Sequence, residues 1–139
     1  MTDIVVTAAQ VKRVYADRDE VLDYPVGTAV TAGMPVYVVT STGKIAPADG
    51  SAASTAQVRG IALRDGAAGE TVPVLLRGVV AGFTLAGDFD SRVYLSDTTG
   101  TLGDSAGTVS VIVGRVLRSN DSSATKLLYV NINILTQYA

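Results

Sequence analysis

The turn Asp97-Thr98-Thr99-Gly100 is the stretch whose residue types most invite a catalytic reading. A carboxylate at the lip of a glycine turn can activate water, but hydrolysis of that kind needs two Asp side chains sharing one proton. The similar turn Thr40-Ser41-Thr42-Gly43 carries no Asp, so either copy alone is inert and a structural turn is expected. Two other runs, Asp88-Phe89-Asp90-Ser91 and Asn120-Asp121-Ser122-Ser123, offer oxygen atoms of the kind Ca²⁺ accepts. Neither has the spacing or acid count of an EF-hand loop, so both read as solvated turns. His and Cys are absent. The commonest general base, the thiolate nucleophile and the two best transition-metal ligands go with them. No glycine-rich phosphate loop ends in Lys-Ser or Lys-Thr, and no dinucleotide fingerprint joins a strand to a helix. The expectation is a protein that is not an enzyme, with no catalytic residue, metal or cofactor.

Recognition is the chemistry that remains. Arg59, Arg64, Arg77, Arg92, Arg115 and Arg118 lie on or beside expected strands. Such residues can be solubilising gatekeepers of sheet edges. They can equally be interface residues, because the planar guanidinium grips carboxylates with two hydrogen bonds. Tyr37 and Tyr94 occupy matching places and read as packing residues. With 11 basic and 13 acidic residues there is no basic stripe to displace counterions from nucleic acid. Nor is there a polybasic segment for an anionic membrane, or an apolar run of the ~18 residues a spanning helix needs. The opening Met1-Thr2-Asp3-Ile4 lacks the basic region of a signal peptide, so none is expected. Without Cys there is no disulfide framework.

The elements that must position these residues read as strands. A chain of 139 residues, 47% hydrophobic and with 14 Gly, suits one domain of short strands and tight turns. Residues 36–39 read as a buried strand ending at Ser41-Thr42-Gly43, and residues 49–55 as a polar loop. Residues 57–64 form the next strand, with a bulge or close backbone approach at Gly60. Val72, Val74 and Leu76 alternate with Pro73, Leu75 and Arg77; Pro73 should mark a strand start or an edge, and Gly78 should break the strand. Val109, Val111 and Val113 share a face. The final strand alternates Leu128, Val130, Ile132 and Ile134 with Tyr129, Asn131 and Asn133. Roughly eight to ten strands and no helix are expected.

Two stretches also spell the same unit. Val36, Tyr37, Gly43 and Ile45 answer to Val93, Tyr94, Gly100 and Leu102 at a constant offset. Val58-Arg59-Gly60-Ile61-Ala62-Leu63-Arg64 then answers to Ile112-Val113-Gly114-Arg115-Val116-Leu117-Arg118. Two copies are too few for a solenoid, so they should close one core. The expected fold is all-β: a single-domain barrel or sandwich, jelly-roll or β-tulip-like, with an internal two-fold repeat and an N-terminal arm. Residues 1–23 form the arm or first strand and residues 24–139 the β domain, with repeat halves at about 32–64 and 89–118.

The run Ala32-Gly33-Met34-Pro35-Val36-Tyr37-Val38, followed by Gly43-Lys44-Ile45 and Val58-Arg59-Gly60-Ile61-Ala62-Leu63, resembles tailed-phage capsid decoration (cement) proteins. So do Ala67-Ala68-Gly69-Glu70-Thr71-Val72-Pro73-Val74-Leu75 and Arg77-Gly78-Val79-Val80. Val93-Tyr94-Leu95-Ser96-Asp97-Thr98-Thr99-Gly100, Ala106-Gly107-Thr108-Val109 and Val113-Gly114-Arg115-Val116-Leu117 complete the likeness, which covers roughly residues 24–117. It implies a non-enzymatic protein, made in the bacterial host cytoplasm and found on the outer capsid surface of the virion. Such proteins bridge neighbouring major capsid subunits of an expanded icosahedral shell, as dimers or trimers, against the outward pressure of packed DNA. No nucleic acid or membrane partner is implied.

The N-terminal segment stands apart from the repeats. Ile4, Val5 and Val6 are β-prone, and the mixed-charge stretch with Lys12, Arg13, Asp17, Arg18, Asp19, Glu20 and Asp23 separates them from the body. An arm of this kind can add a strand to a neighbour's sheet edge, with Lys12, Arg13 and Arg18 near carboxylates of the capsid or a sister subunit. An ordinary first strand of the core is the plainer reading. Residues 72–76 and 128–135 are expected to leave open edges, which favours a homo-oligomer, a trimer before a dimer. The rival readings are a head-fibre or tail-tube protein and a carbohydrate-binding β domain. The last would need aromatic platforms, and the chain has no Trp and two Phe.

Overall fold

The computed structural model describes residues 2–120, 124–135, 137 and 138. In chain order the strands are β1 (Val5–Val6), β2 (Lys12–Arg13), β3 (Glu20–Pro25), β4 (Pro35–Val38), β5 (Ile45–Pro47), β6 (Val58–Ala62), β7 (Thr71–Ala81), β8 (Phe83–Thr84), β9 (Arg92–Leu95), β10 (Leu102–Gly103), β11 (Ile112–Arg118) and β12 (Lys126–Asn131). The helical elements among the described residues are three short 3-10 turns, Ala8–Gln10, Ala16–Arg18 and Ala53–Thr55. Ten of the strands form one antiparallel sheet curled into a half-barrel, and β1 pairs with β8 beside it. The fold is all-β.

The sheet carries the repeat strand for strand. Its path runs β10-β9-β11-β12-β7-β6-β4-β5, so each half contributes a hairpin, a third strand and a fourth, and the halves meet where β12 pairs with β7. Even the irregularities match. Val36 pairs with Gly60 and Tyr37 with Val58, which leaves Arg59 as an extra residue. In the second half Val93 pairs with Gly114 and Tyr94 with Ile112, which leaves Val113 over. The glycines at these bulges allow close approach. A Cβ on Gly60 would overlap the Leu75 carbonyl, and one on Gly114 the Tyr129 carbonyl. Both hairpin turns close with one bond, from Val39 N–H to the Lys44 carbonyl (2.8 Å) and from Ser96 N–H to the Thr101 carbonyl (3.0 Å). Gly43 and Gly100 sit at φ 72° and 70° in these turns, the left-handed region where a side chain is strained.

β7 is the spine. Leu75 lies between Val21 and Ile61, Arg77 between Glu20 and Asn131, and Val80 between Arg13 and Leu128. The N-terminal strands β2 and β3 therefore line one edge of β7, while β6 and β12 share the other. Both faces are covered. Leu75 and Val80 join a cluster with Val58, Leu95, Leu102, Val111 and Leu128, while Val72, Val74 and Leu76 join Val26, Val30, Val36 and Ile45 on the far side. Val109, Val111 and Val113 share the larger cluster, as their spacing predicts.

Three local expectations are corrected. Gly78 does not break the strand: β7 runs on through it at φ 147°, held by Val130 across one edge. Pro73 is not at an edge. It pairs with Asp23, and its carbonyl accepts the Leu63 N–H at 3.0 Å just past the end of β6. A residue's N–H and carbonyl point to the same edge of a strand, so the donor that Pro73 lacks would face the frayed end of β6, where little needs it. Nor do residues 72–76 and 128–135 leave open edges, since β7 and β12 are both interior. β12 ends at Asn131. Ile132 still bonds the Leu76 carbonyl at 2.9 Å, and the Asn133 side chain then accepts the Leu135 N–H at 3.0 Å and turns the chain away.

Candidate interaction surface

The acidic turn proves to be a fastening. Asp97 accepts the Thr108 N–H and hydroxyl, both at 2.8 Å. Thr99 donates to Asp49 at 3.1 Å, and the Gly100 N–H reaches the Ala48 carbonyl at 2.7 Å. Ser96 donates to Asp3 at 2.5 Å. Asp49 is buried, and its carboxylate also accepts the Ser51 N–H (3.1 Å) and the hydroxyls of Ser51 (2.5 Å) and Thr55 (2.9 Å). Burial pushes its pKa up, but the hydrogen bonds from Ser51, Thr55 and Thr99 outweigh that and hold it below 3.8. The site joins the loop of one half to the hairpin of the other. The run at Asp88 is likewise a turn: Asp90 N–H bonds the Val116 carbonyl at 2.7 Å, and its carboxylate lies 3.5 Å from Arg115. Asp121, Ser122 and Ser123, the other acidic turn, lie outside the described residues. Among the described residues no three His, Cys, Asp or Glu side chains gather around a point.

The N-terminal segment is threaded along the body. Ile4 is half-buried against the larger cluster, and its N–H bonds the Leu102 carbonyl at 2.8 Å. Val5 and Val6 pair with Thr84 and Phe83; Val5 is 64% exposed, whereas Val6 packs beside Gly33. Lys12 and Arg13 pair with Ala81 and Val80, and both side chains are exposed, as is Arg18 at the end of its 3-10 turn. Arg13 Nε stands 3.7 Å from Asp19, whose buried carboxylate lies against Gly78 and has no hydrogen-bond partner among the described residues. That contact ties β2 to the turn before β3. The six residues thus lie along one course but do not converge: Ile4 and Val6 face inward, Val5 and the three cations outward.

A family model described as phage cement protein matches residues 16–132. The chain belongs to the phage cement protein family. Its role is structural, the stabilisation of a phage capsid. No curated protein matches the chain. The cement-protein match takes in the whole repeat together with Arg18; Ile4, Val5, Val6, Lys12 and Arg13 precede it.

Other surface features of this cement protein escaped the sequence reading. Glu20, Arg77 and Asn131 stand in register across β3, β7 and β12, and with Ile134 and the 90%-exposed Leu135 they line an open groove. Leu22 is exposed on β3 as well. The clue to the groove was the final alternation running past the point where β12 loses its partner. A second feature is a cleft of about 270 Å³ beside the N-terminus, with Ile4, Leu85 and Val93 among its walls and Asp3, Arg92 and Asp104 at its rim.

Proposed function

We propose that this cement protein binds the outer surface of an icosahedral phage head and bridges neighbouring major capsid subunits, holding the shell against the pressure of packed DNA. The observation that carries this reading is the cement-family match over residues 16–132. It acts as a homo-oligomer, a trimer before a dimer, because closed symmetry suits a protein seated on a capsid axis. Exposed Leu22, Ile134 and Leu135 supply apolar material for contacts between copies. The N-terminal segment is the attachment element: Ile4, Val5 and Val6 supply β-prone backbone, and the exposed Lys12, Arg13 and Arg18 meet carboxylates of the shell or of a sister copy. Many identical sites on one particle make modest affinity at each sufficient.

Heating purified particles with and without the protein tests the reading. Undecorated shells should release DNA at lower temperature; equal release from both, with no protein bound, would overturn it. A reconstruction with isolated single copies on the shell would overturn the oligomer.

A further inference from the structure

The two halves close their hairpin edges differently. In the first half the chain leading into the repeat does so directly: Val26 bridges Ile45 in parallel, and the Gly27 N–H bonds the Ile45 carbonyl at 2.9 Å. By the offset that carries Val36 to Val93, Val26 and Gly27 answer to Phe83 and Thr84, and Ile45 to Leu102. In the second half these partners do not meet. The N-terminal strand joins them instead: Asp3 bridges Gly103, the Ile4 N–H bonds the Leu102 carbonyl at 2.8 Å, and Val5 and Val6 pair with Thr84 and Phe83. Both contacts are antiparallel, so Phe83–Thr84 and Leu102–Gly103 run parallel to each other, as the first half's pair does.

The added strand is hydrogen-bonded from end to end by residues 82–104. Thr2 N–H donates to Asp104 at 2.9 Å, Asp104 N–H returns a bond to the Thr2 carbonyl at 3.1 Å, Asp3 accepts from Ser96, and Thr7 N–H reaches the Gly82 carbonyl at 2.8 Å. None of these bonds depends on which chain supplies the strand. The connection to β2 runs through the 3-10 turn Ala8–Gln10, which contains no buried residue, so the chain can straighten there while Val11 stays packed on the body. The matched family stretch includes the receiving residues and begins after the donated ones.

We propose that residues 2–7 are an exchanged strand: in the assembled protein they close the hairpin edge of a second copy, against its Phe83–Thr84 and its residues 102–104. This deepens the homo-oligomer of the reading above and rests on it. Exchange keeps every hydrogen bond and turns a contact within one chain into a link between two. A few hinge residues, at about 3.3–3.6 Å each, reach only a copy lying directly against this face.

The chain has no Cys, so single cysteines report pairing cleanly. Val5 and Thr84 are cross-strand partners, and both are exposed. Full-length Val5→Cys and size-tagged Thr84→Cys are mixed, refolded together and treated with a mild oxidant or a short bis-maleimide, in solution and on particles. The expected result is a covalent dimer of one tagged and one untagged chain, with a matching fall in both monomer bands. Replacing Thr84→Cys by Ser41→Cys, in a distant turn, should abolish it. If the doubly substituted chain links only to itself while the mixture gives no mixed dimer, exchange is overturned even where the protein still binds shells. Capture of the shell protein by Cys-substituted position 5, in place of a sister chain, overturns it too. A mixed dimer that forms without shell binding would support exchange and count against the capsid reading alone.

Discussion

The turns Thr40-Ser41-Thr42-Gly43 and Asp97-Thr98-Thr99-Gly100 share a backbone and differ in employment. Each closes with the same hydrogen bond and turns on a glycine at φ 72° or 70°. The first stands in solvent, and a Cβ on Gly43 would meet nothing within 4 Å. Gly100 packs on Met34 and Pro47, and its turn fastens residues 3, 48, 49 and 108. Repetition has preserved main-chain geometry, while three side chains (Ser96, Asp97 and Thr99) decide whether a turn merely reverses the chain or joins two halves. The acidic residue that looks catalytic is one of those three.

Core truncation at paired positions is the strongest test of this comparison. Ile45→Ala and Leu102→Ala occupy equivalent strands in different clusters, and both side chains are buried. Each should cost about 2–5 kcal/mol in urea unfolding with the slope unchanged. A loss under about 1 kcal/mol at either would mean that its cluster contributes little to holding the fold. A smaller effect is expected at the fastening. Asp49→Asn should cost about 1.5–3 kcal/mol at neutral pH, because a charged acceptor of several bonds becomes a neutral amide. Its carboxyl is held below 3.8 in the folded chain, so its stabilisation is complete above the unfolded value and is lost as pH falls through the folded one. The gap between wild type and variant should therefore close in acid, from about pH 5 downwards; a gap constant with pH would remove the charge from the account. The smallest contrast is Thr99→Ala against Thr42→Ala, at matching places in the turns. Thr99 loses its bond to Asp49 and should cost about 1 kcal/mol, whereas Thr42 should change melting by less than about 0.5 kcal/mol. Equal effects would erase the distinction between the turns.

The repeat was legible in the sequence because its signals are local. Val36-Tyr37 and Val93-Tyr94 announce strands, and Gly43 and Gly100 announce left-handed turns. Val109, Val111 and Val113 share a face by simple alternation. What stayed hidden depends on neighbours distant in sequence. Gly78 reads as a break until Val130 is seen beside it, and Pro73 reads as an edge until β6 is seen to end there. In β3 a bulge at Glu20/Val21 and the exposed Leu22 obscure a period of two, so residues 20–23 read as charge rather than as the start of a strand. For the candidate contacts, β-propensity and charge were visible at Ile4, Val5, Val6, Lys12, Arg13 and Arg18. The partners of the first five on β7, β8 and β10 were not, because register across the sheet leaves no mark on a short segment.

The idle turn has a practical side. A guest peptide spliced between Ser41 and Thr42 would leave from an exposed hairpin tip that no other part of the chain leans on, and loop closure grows only slowly more costly with length. The same splice between Thr98 and Thr99 would pull Thr99 off Asp49 and Gly100 off Ala48. One hairpin is thus a ready carrier for cargo and its twin a place where cargo would undo the fold, although the two were written from the same pattern.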